Sequence, residues 1–367
     1  MTGPRVAVAG VHGHGASHVR NVTRLAAAGR AELVGVADPR PGGDLPSFTS
    51  LEQLLQATEV DVVIISTPIQ THVPLAELAM RAGADVLLEK PPTASLAEFE
   101  QLSAVVAETG RACQVGFQAQ ASEATLKLAA MVADGQLGEI RGISATGKWV
   151  RTAKYFQRAR WAGKRRLDGV DVVDGAVTNP LAHSTAAALL LDGSTGVDDV
   201  RSVETELYRA NPIESDDTST VRITTSRGTT ILIAVTLCAT EHLEPSLIVH
   251  GSEGDAVLRY ASDRIGETKY ARADLLENLL AHRADPAVPL YVPLAATGGF
   301  TRVVEAVRTA ADPVEIPAES VRWEGEGLER RPIVLDVENW IDRASDELAL
   351  FGELGAPWTG QSPRENS

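Results

Sequence analysis

The chain has 367 residues, 44% of them hydrophobic and 23% charged, with a formal net charge of −15. That length exceeds one ordinary core and predicts two domains in a globular protein, while the acidity argues against a nucleic-acid partner, which would select a basic face. No stretch nears the eighteen consecutive apolar residues of a membrane-crossing helix. The N-terminus MTGPRVAVAG lacks a secretory pattern. Cys113 and Cys238 are expected to be buried free thiols, and a cytoplasmic protein without a membrane partner is expected.

The first 120 residues alternate short apolar runs with helical patterns. RVAVAG (5–10), AELVGVAD (31–38), DVVIIST (61–67), ADVLLEK (84–90) and ACQVGFQ (112–118) predict strands buried on both faces. Helical periodicity fills the intervals, with a cap at Ser95 and Glu98 and a first-turn proline at Pro74. This alternation predicts a Rossmann-type, doubly wound parallel sheet over residues 1–120.

After residue 120 the texture changes. One helix, SEATLKLAAMVADGQLG, precedes EIRGISATGKWV, VRSVETELYRA, TSTVRITTSRG, TTILIAVTLCATE and SLIVHGSEGDAVLRY. Their alternation predicts a mostly antiparallel open sheet, with two late helices near 298–311 and 335–350. The second α/β domain is expected over 121–357, with a frayed tail at 358–367.

Gly10, Gly13 and Gly15 surround the first strand–helix break, where helix amides can hold a pyrophosphate. His12 stands where the second glycine of G-x-G-x-x-G belongs, which leaves a damaged loop, a metal site or a working variant as readings. Asp38 ends the second strand, placed to accept from adenosine ribose hydroxyls and so to favour NAD; Arg40 could instead hold a 2′-phosphate, leaving NADP open. His12, His14 and His18 raise the metal question. No cysteine or carboxylate lies near them in sequence to complete a tetrahedral shell, so no metal is expected. His12 is expected to turn toward the cofactor, with His18 as a polar contact near the sheet edge.

In STPIQTHVPLAELAMRAGADVLLEKPP (66–92) one strand ends at Thr67-Pro68 and the next at Glu89-Lys90-Pro91. Ligands of open parallel sheets bind beyond the carboxyl ends of strands, so Lys90 is expected to face the cofactor crevice and a reacting hydroxyl.

The run TPIQTHVPLAELAMRAGADVLLEKP resembles the signature of the glucose–fructose oxidoreductase / inositol dehydrogenase / rhizopine-catabolism (Gfo/Idh/MocA) family. The likeness continues through QVGFQ (114–118) and MVADGQLGEIRG (131–142) and thins in the second domain. It implies a cofactor-binding set of Thr67, Pro68, His72, Glu89, Lys90 and Gln118 besides the first loop, with His72 supporting the Lys90 loop or the nicotinamide side. It implies Lys90 as a catalytic residue, and a second domain whose open sheet serves substrate binding or homodimer or homotetramer contacts. The family's D-x-x-x-H is matched by NPLAH (179–183), so His183 corresponds to the proton-transferring histidine and Asn179 replaces the aspartate. A neutral amide does not favour a lysine ammonium as a carboxylate would, but it still orients a hydroxyl.

Between these motifs, KWVRTAKYFQRARWAGKRRLDGVDVVDG (148–175) interleaves aromatics with bases. Tyr155 and Trp161 are expected to pack on a substrate ring or to lie in a solvated loop. The expectation is an NAD(P)-dependent oxidoreductase that exchanges a hydroxyl for a ketone on a sugar, cyclitol or polyol. Its rivals are a redox-neutral lyase or glycosidase that oxidises transiently, and a non-catalytic dinucleotide sensor.

Overall fold

In a computed structural model, which describes residues 3–40 and 45–360, the apolar runs of the first unit lie side by side. They are β1 (Arg5–Ala9), β2 (Glu32–Ala37), β3 (Ser47–Phe48), β4 (Val62–Ile65), β5 (Asp85–Leu88) and β6 (Cys113–Val115). All pair in parallel, in the order β3-β2-β1-β4-β5-β6. Helices α1 (Gly15–Ala27), α2 (Leu51–Ala57), α3 (His72–Arg81) and α4 (Leu96–Thr109) connect them. Val6, Val8, Val62 to Ile65, Val86 and Leu88 are fully buried, as a sheet covered on both faces requires. The strand order reverses between β1 and β4, the topological switch where such sheets open a crevice beyond their carboxyl ends.

The chain divides into two units, Met1–Phe117 with Ala273–Ala296 and Gln118–Arg272 with Thr297–Ser367. The continuous range 121–357 therefore includes a segment that belongs with the first unit. Val115 N donates to Val292 O at 2.9 Å, and the Gln114 amide donates to Leu275 O. Arg283 reaches Asp61 at 2.8 Å and Asp85 at 2.6 Å. An edge strand and two carboxylates hold the Leu275–Ala284 helix there, and none of these partners is visible in the helix's own sequence.

In the second unit, nine strands among the described residues form one sheet. Neighbours are antiparallel except Ile140–Lys148 with Thr230–Thr236 and Val200–Arg209 with Val314–Glu315, which are parallel. SLIVHGSEGDAVLRY folds as two strands, Ser246–Gly251 and Ala256–Arg259. Side chains alternate between faces. At Gly147 an added Cβ would meet Leu181 just before the Ala182–Asp192 helix, whereas at Gly142 it would meet Leu348 just after the Val337–Glu347 helix. Ser144 shares a 2.6 Å hydrogen bond with Ser345 on that second face.

Over its central strands, this second face of the sheet is thus covered by the chain's own C-terminal helix. Tyr208, Leu232 and Ala234 pack there with Val337, Ile341, Phe351 and Trp358. The first residues of the tail expected from 358 are instead packed: Trp358 is only 2% exposed and its ring meets Phe351 edge-on; the rest of that range, 361–367, lies outside the described residues, as do residues 41–44. Among the described residues, no helix is long and apolar enough to cross a membrane.

Phe351 is fully buried, so Phe351→Ala should cost about 3–5 kcal/mol through lost burial and a residual cavity. Urea unfolding measures it. A loss below about 1 kcal/mol would mean the C-terminal layer is loosely attached.

Candidate active site

The first loop is shaped by two close approaches. Gly10 has φ +80, and a Cβ there would stand 2.4 Å from Ser66 O. A Cβ on Gly15 would stand 1.9 Å from Gly10 O, so the α1 N-terminus can close on the strand end only with glycine at both places. The helix starts at His14 without a side-chain cap, leaving its positive end to an anion. His12 is half-exposed and leans toward Asp38, its Nε2 3.8 Å from Oδ1. The two glycines that the close strand–helix turn needs are thus in place, and the histidine between them has its side chain turned toward Asp38.

Asp38 accepts from Val11 N at 3.2 Å and Arg40 N at 2.9 Å. Burial works against its ionisation, but these N–H donors prevail and hold its pKa below the ordinary aspartate value. Arg40 is turned back on it, with Nε 3.5 Å from Oδ1.

At the end of β5 lies a cluster that sequence spacing conceals. Glu89 is 7% exposed. Its Oε1 stands 2.8 Å from His18 Nε2 and 3.2 Å from His14 Nε2, and its Oε2 accepts from Lys90 N at 3.1 Å. Gly116 leaves the room: a Cβ there would press on the carboxylate at 3.0 Å. The premise that no carboxylate stands near the histidines is therefore corrected, since the parallel sheet brings Glu89 to the start of α1. These donor atoms lie within 4.8 Å of one another, a possible divalent-metal set. Both ring nitrogens, however, are at hydrogen-bond distance from one carboxylate oxygen, and hydrogen bonds account for the contacts without a metal. His18, expected to make only a polar contact near the sheet edge, is a buried partner of this carboxylate.

His72, 2% exposed, staples two loops. Its Nε2 is 2.9 Å from Thr67 O and its Nδ1 2.9 Å from Pro91 O and 3.3 Å from Pro92 O. Burial pushes its pKa down against the pull of these carbonyls. The turn at Thr67-Pro68 is closed by Thr71, whose hydroxyl donates to Thr67 Oγ1 at 2.7 Å. Gly10 to Gly15, Asp38, Thr67, Pro68, His72, Glu89 and Lys90 thus gather at one end of the first sheet.

Gln118, Tyr155, Trp161, Asn179 and His183 belong to the second unit. His183 lies in the first turn of the Ala182–Asp192 helix, its ring centroid 6.3 Å from that of Tyr260. Asn179, in the turn before it, donates through Nδ2 to Asp174 Oδ1 at 2.5 Å. Asp174 is a residue that motif reading missed; the only signal was a carboxylate inside the small apolar run VVDGAV. The preceding Val173 has φ 44, a left-handed conformation that costs a β-branched residue about 1–3 kcal/mol. Tyr155 and Trp161 both face arginine: Arg158 lies 3.7 Å from the Tyr155 centroid and 4.6 Å from that of Trp161, and Arg151 lies 4.7 Å from the Tyr155 centroid.

The Glu89 cluster imposes a pH dependence. The bond to Glu89 raises the His14 pKa above 6.5, so that contribution is full below pH 6.5 and fades as pH rises through the raised value. Burial opposes ionisation of Glu89, yet bonds from His14 and His18 bring its pKa below 4.5, so its contribution is present above pH 4.5 and lost in acid. His14→Gln should therefore lower the urea midpoint more at about pH 5.5 than at about pH 8.5. An equal effect at both would show that the His14 contact carries no charge.

Two family models match the chain: "Oxidoreductase family, NAD-binding Rossmann fold" over residues 4–117, and "GFO/IDH/MocA C-terminal domain" over residues 125–257. Inositol 2-dehydrogenase of Rhizobium meliloti is 25% identical over 65% of this chain and 72% of its own length. UDP-N-acetylglucosamine 3-dehydrogenase of Acidithiobacillus ferrooxidans is 29% identical over 66% of this chain and 64% of its own. An uncharacterized oxidoreductase of Escherichia coli, YdgJ, is 33% identical, but the match spans only 26% of this chain and 29% of that protein. In fold, the chain is similar to the WlbA dehydrogenase of Bordetella pertussis, solved with NADH and UDP-GlcNAcA, at TM-score 0.71 and 23% identity over 83% of this chain and 95% of that one. With a parallel sheet in the order 3-2-1-4-5-6, a glycine cradle at its switch point and both family domains in sequence, the chain belongs to the Gfo/Idh/MocA family of NAD-binding oxidoreductases.

Proposed function

We propose that the protein oxidises a ring hydroxyl of a sugar, cyclitol or related polyol to the ketone, or runs the reverse, with NAD as cofactor. The observation that carries this reading is the gathering of a glycine cradle, the Asp38 carboxylate and Lys90 at the carboxyl ends of β1, β2 and β5. Relatives named for the dehydrogenation of inositol and of UDP-N-acetylglucosamine support a ring alcohol as substrate.

Gly10, His12, Gly13, His14 and Gly15 hold the pyrophosphate at the α1 N-terminus. Asp38 accepts from the adenosine ribose hydroxyls, and its charge repels a 2′-phosphate; Arg40, which would have to hold that phosphate, is already turned onto Asp38. NAD, when bound, supplies the hydride acceptor. Thr67, Pro68 and Gln118 flank the cofactor, while His72 fixes the Thr67 and Lys90 loops. Glu89 holds the Lys90 backbone, and Lys90 Nζ donates to the reacting hydroxyl oxygen, favouring its alkoxide character. An imidazole nitrogen of His183 takes the hydroxyl proton, and Asn179 orients a substrate hydroxyl through its side-chain amide. No metal takes part.

The test is an absorbance screen for reduced nicotinamide. Protein at near-stoichiometric concentration meets NAD or NADP with inositols, sugars, sugar acids and nucleotide sugars, with and without EDTA. Net reduction of NAD, indifferent to EDTA, is expected. Cofactor binding without net redox change on any of these would overturn the dehydrogenase reading in favour of a redox-neutral enzyme or a sensor.

Lys90→Ala should lower turnover by about 100-fold or more while NADH affinity barely changes. Loss of affinity instead would remove Lys90 from the chemistry. Asp38→Ala should weaken NAD binding by roughly 10–100-fold, and unaltered binding would take Asp38 off the ribose.

A further inference from the structure

We infer that Asp174 is a positioning residue that locks the Asn179 amide, so that a neutral carbonyl oxygen, rather than a carboxylate, meets the substrate in front of His183. The inference rests on the proposed role of Asn179 in hydride transfer and adds to it the atom that does the work and the ligand group it selects.

Asp174 has almost no exposure, its side chain being 2% accessible. Its two oxygens are divided between different tasks. Oδ2 accepts from Gly163 N at 2.7 Å and faces Arg158 Nη2 at 3.4 Å. Oδ1 accepts from Asn179 Nδ2 at 2.5 Å. A carboxylate has no proton to give, so only the NH2 branch of Asn179 can point at it, and chemistry fixes which way the amide faces. Oδ1 of Asn179 must then lie on the branch turned away from Asp174. Two lone pairs allow it to accept from a ligand, and nothing on that atom can donate.

The surrounding backbone is built to keep this arrangement. Asn179 N donates to Gly175 O at 3.1 Å, and Ala182 N to Asn179 O at 3.3 Å, so the turn delivers Asn179 directly ahead of the helix that carries His183. The Thr178 hydroxyl donates to Val173 O, closing the loop on itself. Ala176 N is held by the buried Asp216 carboxylate at 3.1 Å, and Gly175 leaves the space that Asp216 occupies. Val173 keeps a left-handed φ within this loop, immediately before Asp174. Strain of that kind persists only where neighbours over-determine the conformation, and it collects at functional sites. Arg158 is held in turn, its Nη1 donating to Tyr155 O at 2.8 Å and its guanidinium lying over Tyr155 and Trp161. The two aromatics expected to meet a sugar ring thus face the arginine that supports Asp174.

Two consequences bear on specificity and mechanism. A ligand group at Asn179 Oδ1 must be a donor, a hydroxyl or an N–H; a carboxylate or ketone placed there would meet lone pairs. The negative charge is kept one hydrogen bond behind the reacting position.

The test is a charge swap in the whole protein. Asp174→Asn leaves one carbonyl oxygen where two oxygens had accepted from Asn179 Nδ2 and Gly163 N, so one donor must lose its acceptor. Asn179→Asp sets two carboxylates against each other. Each single change should lower kcat/KM by about 100-fold, the scale of a misplaced reacting group. In the double variant Asp174→Asn/Asn179→Asp, the amide now at position 174 donates to the carboxylate now at position 179 and accepts from Gly163 N. The geometry is restored with the charge moved forward.

Turnover is measured with NAD and the substrate returned by the screen, myo-inositol being the first probe, with NADH affinity followed by fluorescence. Most of the kcat/KM loss should return in the double variant, and NADH affinity should stay constant in all forms. If the single variants turn over normally, or the double variant recovers nothing, Asp174 is only a loop staple and the inference falls while the dehydrogenase reading stands. If the unaltered protein transfers no hydride to any probe, the dehydrogenase reading falls and takes the inference with it.

Discussion

A carboxylate withdrawn from water must be answered by donors, and Glu89 is the one around which the first unit's site is arranged. Two histidines from the opening of α1 and the Lys90 backbone supply those donors. The same contacts tie the cradle of the first strand to the loop after the fifth. Remove the carboxylate and the histidines lose their common acceptor; fill Gly116 with a side chain and the carboxylate loses its place. The His72 staple acts in parallel, joining the turn after β4 to the prolines after Lys90. Two polar clusters therefore set where Lys90 starts from.

The second unit uses the same device three times in a short span. Asp174, Asp216 and Asp217 are all buried, and each is engaged by backbone N–H, side-chain amide or hydroxyl donors rather than by a bidentate arginine. Burial raises the pKa values of Asp216 and Asp217 despite those bonds. Such groups are costly unless well satisfied, and once satisfied they specify one loop conformation sharply. Asp174 and Asp216 do so for the loop that leads from Val173 to Asn179 and into the helix of His183, and Asp217 for the backbone at Ala210 and Asn211. A hydrophobic layer that includes the C-terminal helix, Phe351 and Trp358 covers the sheet on its other face.

Much of the fold was legible because the signals were local. Buried runs such as VVII and helices capped by Ser95 announce themselves by composition and spacing. The return of Leu275–Ala284 to the first unit was not legible, because its anchors Gln114, Asp61 and Asp85 lie far away in sequence and look like ordinary polar residues. The covering of the second sheet was hidden for a related reason. Val337–Glu347 has the amphipathic pattern of any surface helix, and no periodicity states which face it will shield.

The site divides along the same line. Amino-acid order was enough to put Gly10, Gly15, Asp38 and Lys90 at strand ends, since a parallel sheet of alternating strands and helices leaves them nowhere else. It also marked His12 as a departure from the usual loop. The meeting of Glu89 with His14 and His18, and the seat of Asp174 behind Asn179, had to wait for the folded chain. Both are contacts between a buried acid and neighbours that chain folding brings to it. Local spacing records which way a backbone runs, whereas a buried charge is settled by whatever donors the finished packing places within about 3 Å.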